Sequence, residues 1–361
     1  MPASKSSSPP EAALWAVILA GGVGSRFWPV STPARPKQLL PLAGDQPLIT
    51  QTVERIAPLV GRERIRILTG AALRGPMLGA AGIDAGQLMI EPRARGTAPV
   101  LAWAAHQLVQ DDPEAVMASL HADHRIEPAE AFRSTIATAA RIARETQRLC
   151  TIGVVPTRPE TGYGYIRTSD AIDTDGNAFL VERFVEKPDR ATAARYVAEG
   201  YLWNTGLFVW PAALLLEQLH AHTPELGSLL PLLDDGRTDE FFSQAPTISI
   251  DNALLERSDR VAVVRAAFEW DDVGAWDALA RTRPADSRGN VGVGETHFAD
   301  ADGCIAWSED GAVVVFGARD LVVVHANGVT FVAPRERAPQ LKELLAELPD
   351  RLVRLEEEED A

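Results

Sequence analysis

An open α/β sheet, mostly parallel, with helices on both faces and a small β-rich domain after it, is the fold this 361-residue sequence predicts. Three observations carry that expectation. Apolar runs of strand length alternate with helix-length stretches through the first part of the chain. The first apolar run ends in a glycine-rich turn, the usual place of a ligand loop in such sheets. From about Asn290 onward the helical pattern gives way to short β-rich runs separated by Gly, Asp and Asn.

The elements follow in order. Val17-Ile18-Leu19-Ala20 is a buried first strand, and Gly21-Gly22-Val23-Gly24 turns out of it. Leu48 to Ile56 reads as a helix, Ile65 to Leu68 as the second strand, and Leu88 to Ile90 as the third. Thr97 caps a helix from Ala98 to Val109. Val116 to Leu120 is a fourth strand, stopping at His121-Ala122-Asp123-His124. A helix from Ala129 to Thr146 and a strand from Thr151 to Val155 follow. The middle of the chain mixes strands with helices at Arg190 to Glu199, Pro211 to His220 and Asp251 to Arg257. The last part holds runs such as Gly303 to Trp307, Ala312 to Phe316, Leu321 to His325 and Val329 to Val332, then a helix from Pro339 to Leu348. We read residues 1–13 as a disordered tail, 14–285 as the main domain, and 286–361 as a small β-rich domain, a short β-solenoid closed by a helix.

Composition narrows the function. The formal net charge is -15, which argues against a nucleic-acid partner. The apolar runs are far too short to span a bilayer. The first residues lack the apolar core of a secretory signal. Cys150 and Cys304 show no metal spacing and no disulfide framework, so the expected compartment is the cytoplasm. Lysine is scarce: Lys5, Lys37, Lys187 and Lys342 stand against 31 arginines. An interior Lys in such a chain suggests a site that wants a compact ammonium.

Against that acidic background, no acidic residue lies between Gly21 and Leu42, while Arg26, Arg35 and Lys37 do. A glycine turn after a strand exposes backbone N–H groups to an anion, and the cations add charge. Together they read as a polyphosphate cradle. The spacing fits neither a G-x-G-x-x-G fingerprint nor a Walker P-loop. Asp123, just past a buried strand, is placed to hold Mg²⁺ on a triphosphate, although a helix N-cap fits those residues too. His121 and His124 invite a zinc reading that lacks a third ligand. Gly162-Tyr163-Gly164, glycines flanking an aromatic, allows a flat ligand face to pack against the backbone, although a plain hairpin fits those residues too. Glu186-Lys187-Pro188 is a charged pair at a strand end, also readable as a surface ion pair. Asn204 offers both a donor and an acceptor, which suits vicinal hydroxyls. Asp271-Asp272 reads, on residues alone, as a turn.

The stretch LAGGVGSRFWP…PKQLLPL resembles the G-G-x-G-x-R…P-K-Q motif of sugar-phosphate nucleotidyltransferases, in the form seen in mannose-1-phosphate guanylyltransferases. Further segments match in order over residues 17–277. EPRARGTAP resembles the family's E-P-x-x-x-x-T-A-P. HADH resembles P-A-D-H, with His121 where the family has Pro. GYGYI, the FVEKP segment, WNTG (with Thr205 for Ser) and WDDVGAW complete the series.

The resemblance implies a nucleotidyltransferase fold of GT-A type, a Rossmann-like mostly parallel sheet. It assigns the nucleotide to Leu19, Ala20, Gly21, Gly22, Gly24, Ser25, Arg26, Lys37, Thr97 and Asp123. The sugar phosphate falls to Gly164, Glu186, Lys187 and Asn204. Asp123 and Asp272 hold Mg²⁺, and Arg26, Lys37 and Lys187 are the catalytic cations. The implied reaction is transfer of GMP from GTP to α-D-mannose 1-phosphate. A UTP or dTTP enzyme acting on glucose 1-phosphate, and a catalytically silent regulatory subunit, are the alternatives. A homodimer is among the assemblies the sequence allows.

Overall fold

The computed structural model describes residues 14–22 and 24–353. The N-terminal tail over 1–13, Val23 and the acidic end from Glu356 to Ala361 lie outside these residues.

The chain opens with β1 (Leu14–Leu19), α1 (Leu48–Val60), β2 (Ile65–Gly70), α2 (Arg74–Ala81) and β3 (Leu88–Glu91). Then come α3 (Thr97–Asp111), β4 (Val116–His121), β5 (Arg125–Glu127), α4 (Ala129–Thr146) and β6 (Leu149–Val154). The middle holds β7 (Gly164–Ala171), β8 (Ala178–Glu186), α5 (Arg190–Ala198), β9 (Leu202–Pro211), α6 (Ala212–His222), β10 (Val261–Arg265) and β11 (Glu269–Asp271). A four-stranded sheet closes the chain: β12 (Val291–Ala299), β13 (Ile305–Phe316), β14 (Leu321–Ala326) and β15 (Val329–Pro334).

The main sheet has nine strands in the order β3-β2-β1-β4-β9-β6-β10-β8-β7. β1, β2, β3 and β4 run parallel, as alternating strands and helices dictate. The remainder refines the expectation of a mostly parallel sheet. β9 is inserted antiparallel between β4 and β6, and β7 and β8 pair antiparallel, so the sheet as a whole is mixed. The run Leu202–Pro211 carries no mark of its direction, because direction is set by distant partners.

Side-chain alternation sorts the core into two layers. Ala16 and Ile18 of β1, and Val116, Ala118 and Leu120 of β4, face Ile49, Val53 and Ile56 of α1 and Phe132, Ile136 and Ala139 of α4. Val17, Met117, Phe208 and Trp210 face the other way, onto Leu101, Ala105 and Leu108 of α3 and Leu215 and Leu219 of α6. Burial on both faces explains why β1 and β4 read as unbroken apolar runs. The chain leaves β1 for β2 and β3 on one side and returns as β4 on the other. The crevice at the carboxyl ends of β1 and β4 is therefore the switch point of the sheet.

In the terminal sheet, β12, β13 and β14 are parallel neighbours, with Val291 opposite Ile305 and Ile305 opposite Val322. Only short turns link them, so the chain coils as a solenoid instead of crossing over through a helix. A β14–β15 hairpin ends it. The helix expected from Pro339 to Leu348 begins as a 3₁₀ turn over Arg335–Gln340 and becomes α-helical at Leu341–Glu347. The stretch read as a helix from Asp251 is a single wide turn, Asp251–Leu255.

A third core joins the two sheets. Phe27, Trp28, Leu40 and Leu42 from the segment after the glycine turn pack with Val273, Trp276 and Leu279, and with Ile305, Trp307, Val324 and Phe331 of the solenoid. Trp276 stacks edge-on against both Phe27 (5.2 Å) and Trp307 (5.5 Å), and its indole N–H donates to the Trp28 carbonyl at 3.1 Å.

Candidate active site

Ala20, Gly21 and Gly22 leave β1 at the switch point. Hydrogen bonds to the Ala20 carbonyl from Gln38 Nε2 and Thr69 Oγ1, both 3.0 Å, fix the exit. A cavity of about 320 Å³ opens there, lined by Leu19, Ala20, Gly21, Gly22, Gln38, Glu91, Gly96, Thr97, His121 and Asp123, among others. A Cβ on Gly22 would meet nothing within 4 Å, so the open backbone there faces free space. Gly24 is constrained differently. Its φ is +71°, and a Cβ would lie 2.2 Å from Lys37 Cβ. Glycine is what lets the Lys37 segment close on the turn. Gly24, Ser25 and Arg26 do not line the cavity; Arg26 is exposed, with no hydrogen-bond partner among the described residues.

Lys37 is buried, 7% exposed. Its ammonium donates to Asp123 Oδ2 at 2.7 Å and to the Asp272 backbone carbonyl at 2.6 Å. These aspartates, far apart in sequence, are brought together by a two-stranded ribbon. β5 pairs antiparallel with β11, placing Asp271 opposite Arg125. Asp123 precedes the first ribbon strand and Asp272 follows the second. Asp271 turns away from this meeting. Its carboxylate takes Arg281 Nε at 2.6 Å and the Val273 N–H at 2.8 Å, so it holds the turn. Asp272 receives the Tyr163 hydroxyl on Oδ1 at 2.5 Å. Tyr163, assigned no role of its own by its sequence context, thus orients a carboxylate.

The charges follow from these contacts. Burial pushes the Asp123 carboxyl up, but Lys37 and the neighbouring imidazoles outweigh it and hold the group well below the usual carboxylate range. Burial dominates at Asp272 and raises it, against the pull of Lys37 and Tyr163. The Tyr163 phenol is held far above its usual range by burial and then by the Asp272 charge.

The His-x-x-His pair gains in space the third group it lacked in sequence: ligand atoms of His121, Asp123 and His124 lie within 4.8 Å of one another. His124 Nδ1, however, accepts the Trp270 indole N–H at 3.1 Å. In the neutral ring that favours burial, Nε2 then carries the proton, and neither nitrogen is free to bind a metal. Asp123 and Asp272 remain as oxygen donors. Asp123 Oδ1 and Asp272 Oδ2 have no hydrogen bond among the described residues, which leaves one oxygen on each for a hard cation.

Thr97 does not cap its own helix. Gly96 is the N-cap residue, and the Thr97 hydroxyl instead accepts the Ile250 N–H at 2.8 Å. On the far side of the crevice, Gly164, Glu186, Lys187 and Asn204 do cluster. Gly164 lacks room for a Cβ, which would fall 2.7 Å from Glu186 Oε2 and 3.2 Å from Asn204 Cβ. Lys187 is largely exposed and pairs with Glu186 at 2.8 Å, so the ion pair read from sequence is present. Sequence reasoning missed Asp251, which accepts from Asn204 Nδ2 at 2.9 Å. It also missed Arg281. Neither lies in a recognisable motif.

A switch-point cavity lined by a glycine turn and Asp123, with a buried lysine behind it that ties Asp123 to the Asp272 backbone, defines a nucleotide-handling site on an α/β sheet. The chain belongs to the nucleotidyl transferase family, whose model matches residues 15–288. A second model, described as a MannoseP isomerase/GMP-like beta-helix domain, matches residues 294–348. Among curated relatives, the Mannose-1-phosphate guanylyltransferase of Salmonella montevideo is 36% identical, over 92% of this chain and 73% of its own length. The Alginate biosynthesis protein AlgA of Pseudomonas aeruginosa is 35% identical over 92% and 71%. A crystal structure described as a mannose-1-phosphate geranyltransferase from Thermus thermophilus superposes with a TM-score of 0.86 at 37% identity, covering 92% of this chain and 98% of that one.

Proposed function

We propose that this enzyme transfers GMP from GTP to α-D-mannose 1-phosphate, giving GDP-mannose and diphosphate. The observation that carries the reading is the meeting of Lys37 with Asp123 and the Asp272 backbone at the mouth of the glycine turn. Relatives named for this activity, at 34–36% identity, point the same way.

A phosphate oxygen of the sugar phosphate attacks the α-phosphorus of GTP, and the bond to the bridging oxygen of the β-phosphate breaks. The nucleophile is already ionised near neutral pH, its second pKa being about 6, so no general base is needed. The chain must screen two anions and align them. Gly21 and Gly22 offer backbone N–H groups to the triphosphate. Lys37 gives up one carboxylate contact for phosphate oxygen and meets the charge that grows on the leaving diphosphate. Arg26, exposed beside the turn, is free to swing onto the same anion, and Lys187 neutralises the sugar phosphate. Mg²⁺ fits the two oxygen donors of Asp123 and Asp272, and when bound it supplies charge neutralisation and alignment. The reaction belongs in the cytoplasm, where GTP is held.

Diphosphate release measured across four nucleoside triphosphates and several hexose 1-phosphates tests the reading. The highest kcat/KM is expected for GTP with mannose 1-phosphate. A higher value for UTP or dTTP with glucose 1-phosphate overturns it, and nucleotide binding without any turnover identifies a silent subunit instead.

A further inference from the structure

Residues 248–251 form a strap between the two halves of the crevice. The Ile248 N–H donates to the Arg95 carbonyl at 3.1 Å, and the Ile248 carbonyl accepts the Ala98 N–H at 3.2 Å. Gly96, with φ +81°, has no room for a Cβ, which would lie 2.5 Å from the Ile248 oxygen. The Ile250 N–H reaches Thr97 Oγ1. The next residue, Asp251, crosses to the sugar side.

There the hydrogen-bond capacity can be counted. Asn204 Oδ1 accepts from Thr151 Oγ1 at 2.7 Å and from the Gly206 N–H at 3.3 Å. Its Nδ2 gives one hydrogen to Asp251 Oδ1. An amide has two donor and two acceptor positions, so one N–H is left. Asn204 therefore does not present the donor and acceptor pair that its residue type suggests. The acceptor role falls to Asp251, whose Oδ2 has no hydrogen bond to another described residue. Burial, and then the nearby Glu186 charge, push this carboxyl up to about 6, with Lys187 acting in the opposite direction. A mostly buried carboxylate held only by Asn204 and by its own backbone N–H, set beside a second carboxylate, is a costly arrangement. Sites that persist at such a cost are candidates for an outside partner.

We propose that Asp251 is a specificity-determining contact for the hexose, its second oxygen accepting a hydrogen bond from one ring hydroxyl beside the remaining N–H of Asn204. This rests on the hexose 1-phosphate reading given above. A neutral amide at this position keeps the shape, and its oxygen still serves Asn204, but the charged acceptor is lost.

The test pairs Asp251→Asn with mannose 1-phosphate and with its 2-, 3-, 4- and 6-deoxy analogues, reading kcat/KM for each. With mannose 1-phosphate the variant should lose about 10- to 100-fold, as for a hydrogen bond to a charged group, with KM for GTP unchanged. With one deoxy analogue, and that one alone, wild type and variant should become equal. An equal loss across every analogue, or a rise in KM for GTP, overturns the proposal and makes Asp251 a brace of the strap. Thr97→Val loosens the same strap from the nucleotide side and should show no dependence on which hydroxyl is missing. Wild-type turnover of mannose 1-phosphate tests the parent reading by itself, so the two failures are distinguishable.

Discussion

Lys37, Asp271, Asp272 and Asp251 show how adjacent or similar residues divide into different tasks. Lys37→Ala should lower kcat by about 10²-fold or more, the usual loss for one electrostatic contact made in the transition state. An intact kcat with only the KM for GTP raised would show that it merely binds. Gly24→Ala should reproduce much of that loss, since the new Cβ would clash with Lys37 Cβ at 2.2 Å and push the Lys37 segment away. The two neighbouring aspartates should separate cleanly. Asp271→Ala strands Arg281 and the Val273 N–H, and should lower stability by about 1–3 kcal/mol. Asp272→Ala should abolish most turnover and lower Tm less than Asp271→Ala does, because burial already disfavours its charge and only the Tyr163 hydroxyl loses its acceptor. The reverse pattern would exchange their roles. For Asp251, the folded pKa of about 6 stands above the ordinary 3.8. The folded state therefore prefers the protonated form, and stability falls as pH rises through that interval. Glu186 and Lys187 are the charged groups that face it. Asp251→Asn removes this loss, so its gain in Tm should be larger at about pH 8 than at about pH 5. A gain independent of pH would mean that the carboxyl is not held up.

The element that assembles the site is the β5–β11 ribbon. β4 and β11 deliver their aspartates from positions 149 apart (272 − 123), and the pairing of Trp270 with Ile126 and of Asp271 with Arg125 closes the gap. The strands of the parallel half and helices α1 and α3 were legible in sequence, because their apolar runs and the glycine turn are local patterns; α2, short and carrying Gly75, Pro76 and Gly79, was not. Asp123 at the end of β4 was legible for the same reason. The ribbon, the antiparallel insertion of β9 and the strap at residues 248–251 were not, since each is defined by pairing with a distant segment. The donor count at Asn204 was hidden likewise: its residue type is visible, its partners are not. If both aspartates serve one Mg²⁺, removing either spoils the same position, and removing both costs little more. A double-mutant cycle on Asp123→Ala and Asp272→Ala, read as kcat/KM at limiting and saturating Mg²⁺, should be strongly non-additive. Losses that simply add would place the two carboxylates on separate duties.

At the scale of the whole molecule, the solenoid is not an appendage. Composition and texture mark it off from residue 286 onward, yet its apolar face completes the core beneath the glycine turn. Trp307 meets Trp276, which meets Phe27, and Asn327 Nδ2 donates to the Pro29 carbonyl at 2.8 Å. Arg283, at the junction, donates to the Leu42 carbonyl at 2.9 Å. The segment carrying Lys37 and the turn carrying Asp272 are therefore both seated on the terminal sheet. Trp307→Ala should cost about 3–5 kcal/mol, as for a large aromatic removed from a core. The loss should not stay in the solenoid. If the third core positions the site, this variant should lower kcat at temperatures where circular dichroism still reports a folded main sheet, although Trp307 is absent from the cavity lining and from every contact of Lys37. A chain ended at residue 286 exposes Phe27, Trp28 and Trp276 to water and should be insoluble or inactive. Full kcat in a soluble truncated chain would show that the catalytic arrangement stands without its terminal support.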